Sequence, residues 1–469
     1  MPAQIKHFFA LMLENRSFDH MLGFMQSPTY GIEGLAGTES NLDSAGNKIV
    51  VSQTAQYSGD LTSDPNHHFP DVTQQLYGVN APAAGQAPDM SGFVVNYETA
   101  TGNRATSANI MKCFAPANLP VLTTLASQYA VCDHWFSSIP GPTLPNRLYA
   151  HCGTSQGRLD MAPEYIQGFY TVYEELAKNG QRSSIFYEDW SGTLSFTGLM
   201  KNQSLFYDDF TNFAALCAGP EADVPAYCFL EPRYSPENDG GGGVYAANDQ
   251  HPDNDVGAGE SLILNVYNAI RSNDALWQSS MLVIVYDEHG GIYDHVPPVP
   301  MVSPDGMASA DPAFDFTLSG IRVPAVVVSP YIAPGTISKT VFDHTSLIAT
   351  AMALFAPAKW PSAALKARAQ QANTLIPLLD LTMAPREDRP DFGAAPASRS
   401  VLSTVQAAAA PLSDLQTANV AHADSVNATL PAPMQGRKPE GGIVQAADAG
   451  AYAKQVAAAA RTYQQGQGS

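Results

Sequence analysis

Two short polar motifs in this sequence place acidic and amide side chains side by side. The residues that they contribute are Glu14, Asn15, Asp287 and Glu288. Carboxylate and amide oxygens are the ligands that hard divalent cations such as Ca²⁺, Mg²⁺ and Mn²⁺ prefer. Either motif alone is typical of a polar turn that caps a helix. Because each follows a continuous apolar run, the two together favour a single cation site.

A hydroxyl residue with a plausible catalytic position lies between these motifs. Thr143 belongs to the segment 138–147, which reads SIPGPTLPNR. Pro-Gly-Pro is typical of a rigid turn, and Arg147–His151 has the character of a helix. A hydroxyl at a helix N-terminus can attack phosphorus while its oxygen is bound to a metal. The alternative is an ordinary threonine cap at the start of a helix.

Histidines are concentrated in four polar loops of the sequence. The members of these loops are His67, His68, His251, His289, His295 and His344. An imidazole beside a phosphate can donate a hydrogen bond and protonate a leaving alkoxide. Each histidine alone is more commonly a packed or turn residue, but four such loops exceed the needs of a structural protein and favour phosphate chemistry.

Short apolar runs alternate with helical patterns along the chain. Three runs read as buried strands: Ile5–Leu13, Met281–Tyr286 and Val323–Val328. Three helices are predicted at Pro120–Tyr129, Glu260–Ser272 and Thr345–Ala356. This alternation predicts an α/β fold with a mostly parallel central sheet. In such sheets sites form beyond the carboxyl ends of the strands, where the two acidic motifs begin.

Composition excludes several classes of protein. The chain has 469 residues, a formal net charge of −20 and 45% hydrophobic residues. The aromatic content excludes general disorder, and the negative charge argues against nucleic-acid binding. Five cysteines without a CxxC pair argue against a disulfide scaffold or a thiolate zinc site, and they predict reduced or buried thiols. A single disulfide between Cys217 and Cys228 is the alternative.

The predicted organisation is one catalytic domain followed by an extension. Residues 1–385 form the domain, and 153–244 within it read as a cap-like insertion rich in aromatics and turn residues. Residues 386–469 are rich in alanine and predict peripheral helices or partial disorder. No apolar run is long enough to span a bilayer, and no signal peptide is recognised at the start. We therefore expect a cytoplasmic location, unless a leader was removed or export uses another route.

Several longer motifs resemble those of one known family. They are LENRSFDHMLG at 13–23, DHWFSSIPGPTLPNRLYAHCGTS at 133–155, NDQHP at 248–252, DEHGGIYDHVPPV at 287–299, and RVPAVVVSPY with FDHTS within 322–346. Together they resemble the bacterial phosphoesterase family, which includes phospholipases C, plant non-specific phospholipases C and acid phosphatases. The resemblance covers about residues 4 to 385 and implies the α/β/α sandwich of the alkaline phosphatase superfamily.

The resemblance also implies roles for individual residues. Glu14 with Asn15 and Asp287 with Glu288 match the two pairs of metal ligands, and Thr143 matches the nucleophile, whose oxygen is a further ligand. His67 matches a phosphate-contacting histidine, with His68 as a register alternative. His251, with Asn248, matches the NDxHP loop and is the expected general acid. One divalent cation is implied, with Ca²⁺, Mg²⁺, Mn²⁺ and Zn²⁺ not distinguished.

The predicted activity is hydrolysis of a phosphoric ester. The favoured reaction is that of a phospholipase C, which releases diacylglycerol and a phosphorylated head group through a phospho-threonine intermediate. An acid phosphatase acting on small phosphomonoesters is the alternative. A non-catalytic metal-binding protein would need a broken ligand set, and a sulfatase would need a CxPxR-type motif; the sequence has neither. Peripheral membrane contact, head-group preference and oligomeric state stay open, although the net charge opposes binding to anionic lipid.

Overall fold

The computed structural model describes most of the chain. The described residues are 4–61, 63–83, 85–162, 168–238, 243–252, 254–394, 401–402, 412–439, 442–443 and 445–467. The strands are β1 His7–Leu13, β2 Ser40–Leu42, β3 Lys48–Val50, β4 Ala130–Cys132, β5 Ser183–Tyr187, β6 Tyr207–Asp209, β7 Tyr227–Leu230, β8 Glu237–Asn238, β9 Val244–Tyr245, β10 Ser280–Tyr286, β11 Ala325–Val328, β12 Thr336–Ser338 and β13 Val401–Leu402.

Helices of very different lengths connect the strands. They are α1 Phe18–Leu22, α2 Phe69–Tyr77, α3 Phe93–Thr101, α4 Arg104–Ser107, α5 Pro120–Gln128, α6 Thr143–Cys152, α7 Val172–Lys178, α8 Thr197–Met200, α9 Gln203–Phe206, α10 Phe213–Ala218, α11 Val256–Arg271, α12 Asp274–Trp277, α13 Thr345–Phe355, α14 Ala367–Gln371, α15 Asp414–Ala428 and α16 Ala446–Gln467. The three helices predicted from sequence correspond to α5, α11 and α13. Among the described residues, no helix is both long and apolar enough to cross a bilayer.

An eight-stranded sheet forms the centre of the molecule. Its strand order is β12-β4-β11-β10-β1-β7-β5-β6. The predicted strands β1 and β10 pair in parallel at the centre, and every residue of both is buried. Helices α5, α10, α11 and α12 pack among themselves, and α6, α7, α13 and α14 form a second group. The predicted α/β class with a mostly parallel sheet is therefore confirmed.

Strand β11 differs from its neighbours in direction. It is an inner strand, as predicted, but it pairs antiparallel with β10 and with β4. A parallel return to the sheet needs a crossover, which is usually a helix. The connection from 287 to 324 contains no helix. The chain therefore re-enters the sheet from the edge that it left.

The segment 153–244, expected as a cap-like insertion, contributes three of the eight strands of the central sheet instead. It contributes β5, β6 and β7, and β7 pairs in parallel with β1. These strands are only three to five residues long and lie among turns and short helices. Their short apolar runs gave no clear strand signal in the sequence.

The C-terminal extension packs on the catalytic body. Helices α15 and α16 contact each other, and α16 also contacts α9 and β8. Ala423, Val426 and Val456 belong to the main hydrophobic core. The extension thus contains the helices predicted from sequence, and their apolar faces are buried. All five cysteines are buried free thiols, as expected, and Cys217 and Cys228 form no bridge.

Glu260 gives the fold a testable dependence on pH. Its carboxylate is buried in α11 and accepts hydrogen bonds from the main-chain nitrogens of Val121 at 2.7 Å and Leu122 at 3.1 Å, at the start of α5. Burial raises the pKa of Glu260 to about 7. The folded state thus holds a proton that the unfolded chain releases near pH 4.5. Protonated Glu260 therefore favours the folded state, and this stabilisation is lost as pH rises through 7.

We expect Glu260→Gln to change this dependence. Between pH 5 and pH 8 the free energy of unfolding of the wild type should fall relative to that of the variant by on the order of 2–3 kcal/mol. Urea denaturation of both proteins at the two pH values measures the difference. Glu387→Gln, at an exposed side chain, is the control. A difference that is independent of pH would contradict the assignment.

Candidate active site

The register of the two central strands brings the two acidic motifs together. Leu13 of β1 lies opposite Tyr286 of β10, so the residues that follow leave the sheet at the same level. The main-chain nitrogen of Asn15 donates to Asp287 Oδ1 at 3.2 Å. Glu14 and Asp287 are both buried. This hydrogen bond joins the two motifs, and the binding of one cation by all four residues stays a prediction.

The two glycines of the DEHGG motif permit this close approach. Gly290 has a φ of +64°, and a Cβ atom there would lie 2.2 Å from the carbonyl oxygen of Asn15. Gly291 has a φ of +67°, and its Cβ would lie 2.5 Å from the carbonyl oxygen of Asn66. Both positions therefore exclude side chains. The glycines let one loop pack against the first acidic motif and against the residue that precedes His67.

Thr143 begins helix α6 and points its hydroxyl at the first acidic motif. Its Oγ1 donates to Asn15 Oδ1 at 3.2 Å, and the side chain is buried. Asn146 fixes the preceding turn: its Nδ2 donates to Gly141 O at 2.8 Å and to Pro142 O at 3.1 Å. The hydroxyl thus lies at the positive end of a ten-residue helix, where negative charge is stabilised.

Arg147 links three carboxylates beneath Thr143. Its Nε donates to Asp287 Oδ2 at 2.9 Å, and its Nη1 donates to Glu231 Oε2 at 2.9 Å. Its Nη2 lies 3.2 Å from Glu14 Oε1. Sequence reasoning missed the roles of Arg147 and Glu231. The available signal was the spacing of four between Thr143 and Arg147, which puts both on one face of a helix.

The charge balance of this cluster fits a bound cation. One guanidinium faces three carboxylates. Glu288 Oε1 is buried and accepts no hydrogen bond, and Glu14 Oε1 is buried with only the ion pair to Arg147. Burial, reinforced by Asp287, raises the pKa of Glu14 well above its ordinary value. Burial also raises the pKa of Glu288 to about 7. A divalent cation among these oxygens would relieve both effects.

Two histidines lie across from the acidic cluster. The ring centroids of His67 and His251 are 6.4 Å apart, and both imidazoles are close enough to Glu288 to oppose the rise in its pKa. His67 Nδ1 lies 2.8 Å from Pro65 O, so this nitrogen carries a proton and Nε2 is left for another partner. His251 Nε2 lies 3.7 Å from Asp64 Oδ2, an acid that sequence reasoning missed although it begins the DPNHH motif.

Asn248 has a different environment. Its Oδ1 accepts a hydrogen bond from Arg233 N at 2.6 Å, and its own main-chain nitrogen donates to Arg233 O at 3.0 Å. These contacts tie its loop to the residues that follow β7. Contact between Asn248 and a phosphate stays a prediction.

Two further motif histidines support the second acidic pair. His344 Nε2 donates to the carbonyl oxygen of Asp287 at 2.5 Å, while its Nδ1 accepts from Trp135. His289 Nε2 lies 2.8 Å from Gln75 Oε1, and burial lowers the pKa of His289 to about 3. Both rings are therefore neutral. His344 holds the main chain at Asp287, and His289 contacts the side chain of Gln75.

Four histidines outside the phosphate-type loops have other neighbours. His7 contacts Pro225 O, His134 contacts Asp133, His151 contacts the hydroxyl of Tyr173, and the ring of His422 packs against Trp190. None of these partners belongs to the acidic cluster described above.

A second group of acids and histidine lies nearby. Ligand atoms of Asp19, Asp294 and His295 lie within 4.8 Å of one another. Arg322 is fully buried between the acids: its Nη2 donates to Asp19 Oδ1 and its Nε to Asp294 Oδ1, both at 2.9 Å. The guanidinium forms an ion pair with each of these carboxylates, and His295 Nδ1 lies 2.6 Å from Asp19 Oδ2. We therefore interpret this group as an ion-pair network that joins the FDH and YDH motifs.

The C-terminal extension reaches the edge of the site. Asp414, the first residue of α15, places its Oδ2 2.6 Å from His68 Nε2. The hydrogen bond from His68 lowers the pKa of Asp414 and raises that of His68. Further along, Leu415 and Ala418 pack with Met161 and Tyr234. No sequence pattern indicated that the extension approaches the DPNHH loop.

The site combines the Thr143 hydroxyl at a helix N-terminus with buried carboxylates and with the imidazoles of His67 and His251. This combination suits hydrolysis of a phosphate ester. Comparison with known proteins agrees. The model of the Phosphoesterase family matches residues 5–356, and the chain belongs to that family. It is a hydrolase that acts on phosphoester bonds. The resemblance stated from the sequence motifs is confirmed.

Named relatives extend over most of the chain. Non-specific phospholipase C1 of Arabidopsis thaliana is 35% identical over 405 residues, which are 82% of this chain and 73% of the relative. Phospholipase C B of Mycobacterium tuberculosis is 25% identical over 75% of this chain and 73% of its own. Among solved structures, the lipoteichoic acid synthase LtaP from Listeria monocytogenes aligns with a TM-score of 0.35 at 12% identity, over 75% of this chain and 72% of that chain.

Proposed function

We propose that this protein is a phospholipase C, which cleaves a phospholipid into diacylglycerol and a phosphorylated head group. The observation that carries the proposal is the Thr143 hydroxyl, hydrogen-bonded to Asn15 at 3.2 Å inside the buried acidic cluster. The relatives that share the motifs over most of the chain are named as phospholipases C. Binding to zwitterionic phosphatidylcholine is opposed less by the net charge of −20 than binding to an anionic lipid is.

The residues that would hold a divalent cation are those predicted from the sequence. Glu14, Asn15, Asp287, Glu288 and the Thr143 hydroxyl supply oxygen atoms, which suit a hard cation. Asp287 already accepts hydrogen bonds, but each carboxylate oxygen has two lone pairs and can also bind a metal. When bound, the cation would lower the pKa of the Thr143 hydroxyl and offset the charge of the phosphate.

The first chemical step forms a covalent intermediate. Thr143 gives its hydroxyl proton to solvent, and its Oγ forms a bond to phosphorus as the bond from phosphorus to the glycerol oxygen breaks. The N-terminus of α6 stabilises the negative charge of the phosphoryl oxygens, and His67 donates a hydrogen bond to one of them from Nε2 when its ring is protonated. The product is phospho-Thr143.

His251 supplies the proton for the leaving group. Its imidazolium protonates the departing glycerol oxygen, which yields neutral diacylglycerol. In the second step water attacks phosphorus, the bond to Thr143 Oγ breaks, and His251 takes up the proton that the water loses. Thr143 recovers its own proton from solvent, and the phosphorylated head group leaves.

We expect His251→Ala to affect substrates according to their leaving groups. The leaving group of an alkyl ester of phosphocholine is a basic alkoxide that needs a proton. The kcat for this ester should therefore fall about 100-fold or more. The leaving group of the p-nitrophenyl ester of phosphocholine is a stable phenolate that needs no proton. The kcat for this ester should therefore fall less than about tenfold. Steady-state rates for both esters with the same metal supply measure the difference.

His134→Ala is the matched control for this experiment, because His134 contacts Asp133 rather than the acidic cluster. It should slow both esters equally, if at all. Equal slowing of both esters by His251→Ala would reject His251 as the general acid and leave it a role in binding the phosphate.

The acid phosphatase alternative is tested by substrate class. A phospholipase C should release phosphocholine from phosphatidylcholine much faster than it hydrolyses p-nitrophenyl phosphate. The opposite preference would favour a phosphomonoesterase on the same site.

A further inference from the structure

The loop that carries His251 has an unusual backbone at the residue before it. Gln250 has a φ of +70°, in the left-handed region that residues other than glycine rarely adopt. Such a conformation costs on the order of 1 kcal/mol or more and persists only where the surroundings impose it. Gln250 is fully buried. The direction in which the chain enters His251 therefore depends on the groups that hold Gln250.

Arg16 binds two successive carbonyl oxygens of this loop, one on each side of the Cα atom of His251. Its Nε donates to Gln250 O at 2.7 Å and its Nη2 donates to His251 O at 3.1 Å. Its Nη1 lies 3.0 Å from His20 Nε2, and His20 Nδ1 lies 2.9 Å from Lys112 O. The proton of His20 is therefore on Nδ1, and Nε2 accepts from Arg16. The guanidinium is buried, and it is held between the two carbonyl oxygens and the ring of His20.

The side chain of Gln250 is held at both ends. Its Oε1 accepts a hydrogen bond from the hydroxyl of Tyr286, and its Nε2 donates to Val256 O at 2.8 Å. Gly259 provides the space: a Cβ atom there would lie 2.1 Å from Cγ of Gln250. Tyr286 is the last residue of β10, directly before Asp287. The central strand thus fixes the His251 loop as well as the acidic cluster.

We propose that Arg16 and Tyr286 are positioning residues that direct the His251 imidazole toward the leaving oxygen. The inference rests on the proposed function, in which His251 is the general acid. Neither residue needs to touch the substrate. They act through Gln250, whose left-handed backbone they stabilise, and a displacement of about 1 Å at a catalytic group can lower a rate about 100-fold.

The test uses Tyr286→Phe, which removes one hydroxyl and keeps the ring in the core. With the alkyl ester of phosphocholine, kcat should fall about 10- to 100-fold while KM changes little. With the p-nitrophenyl ester, kcat should fall less than about threefold, because its leaving group needs no proton. The metal concentration that gives half-maximal activity should be unchanged, which excludes an effect through Asp287.

A double-mutant cycle separates positioning from a general structural effect. If Tyr286 acts through His251, then Tyr286→Phe should have almost no further effect on the alkyl ester when His251 is already alanine. Gly259→Ala provides a second variant, which displaces Gln250 from the opposite side and should show the same dependence on the leaving group. Equal slowing of both esters by Tyr286→Phe, or additive losses in the double mutant, would overturn the inference.

The two failures can be told apart. If His251→Ala itself does not distinguish the esters, the general acid is wrong and the positioning role falls with it. If His251→Ala distinguishes them while neither Tyr286→Phe nor Gly259→Ala does, the proposed function stands and the positioning role is overturned.

Discussion

Thr143→Ala should reduce hydrolysis of phosphatidylcholine by several orders of magnitude, because covalent catalysis loses its nucleophile. The fold should be retained, since the side chain makes one hydrogen bond, to Asn15, which contributes on the order of 1 kcal/mol. Initial rates with both proteins at saturating metal measure the loss. Rapid acid quenching of the wild type, followed by peptide mass spectrometry, should find a phosphoryl group on Thr143.

Two variants control for this experiment. Thr143→Ser keeps a hydroxyl at the same position and should retain much more activity than Thr143→Ala. Thr99→Ala, at an exposed position of α3, should behave as the wild type. If Thr143→Ala retained more than about a tenth of the wild-type turnover, water would have to attack phosphorus directly, and the intermediate would be excluded.

Glu14→Gln and Glu288→Gln should each abolish the response to a divalent cation. Each removes a negative charge from a buried oxygen cluster, and we expect activity at a fixed metal concentration to fall more than about 100-fold. Metal binding should also stabilise the folded wild type, by about 2.7 kcal/mol at a concentration 100 times the dissociation constant. The matched measurement is the melting temperature of each protein with chelator and with Ca²⁺, Mg²⁺, Mn²⁺ or Zn²⁺.

Glu175→Gln is the control for a buried acid outside the cluster, since Glu175 is bonded to Tyr170 and Ser362. It should keep the full stabilisation by metal. Both acidic pairs would be rejected as ligands if Glu14→Gln and Glu288→Gln retained the stabilisation. Unchanged stabilisation together with lost activity would instead assign the two acids to substrate binding.

The centre of the fold could be predicted because its strands are continuous apolar runs. A strand buried on both faces needs apolar residues throughout, and β1 and β10 meet this condition. Once they are neighbours in parallel, the residues after them must meet at one edge of the sheet. For this reason the sequence alone predicts the convergence of Glu14 and Asp287.

Other features depend on long-range packing that no local pattern reports. The contact of His68 with Asp414 joins residues 346 positions apart. The ion pairs of Arg147 join it to Glu14, Glu231 and Asp287, which lie on three different segments. Strand β11 has the apolar character of a parallel strand, yet it pairs antiparallel with both β10 and β4.

The central claim is a metal-dependent phospholipase C, and the products of phosphatidylcholine hydrolysis test it most directly. The protein is incubated with phosphatidylcholine vesicles after metal removal by a chelator, and again after a divalent cation is restored. Diacylglycerol and phosphocholine are then quantified together. We predict equal amounts of both products with the cation and neither without it. Hydrolysis that persists after complete metal removal, or release of inorganic phosphate from monoesters with no diacylglycerol, would contradict the account.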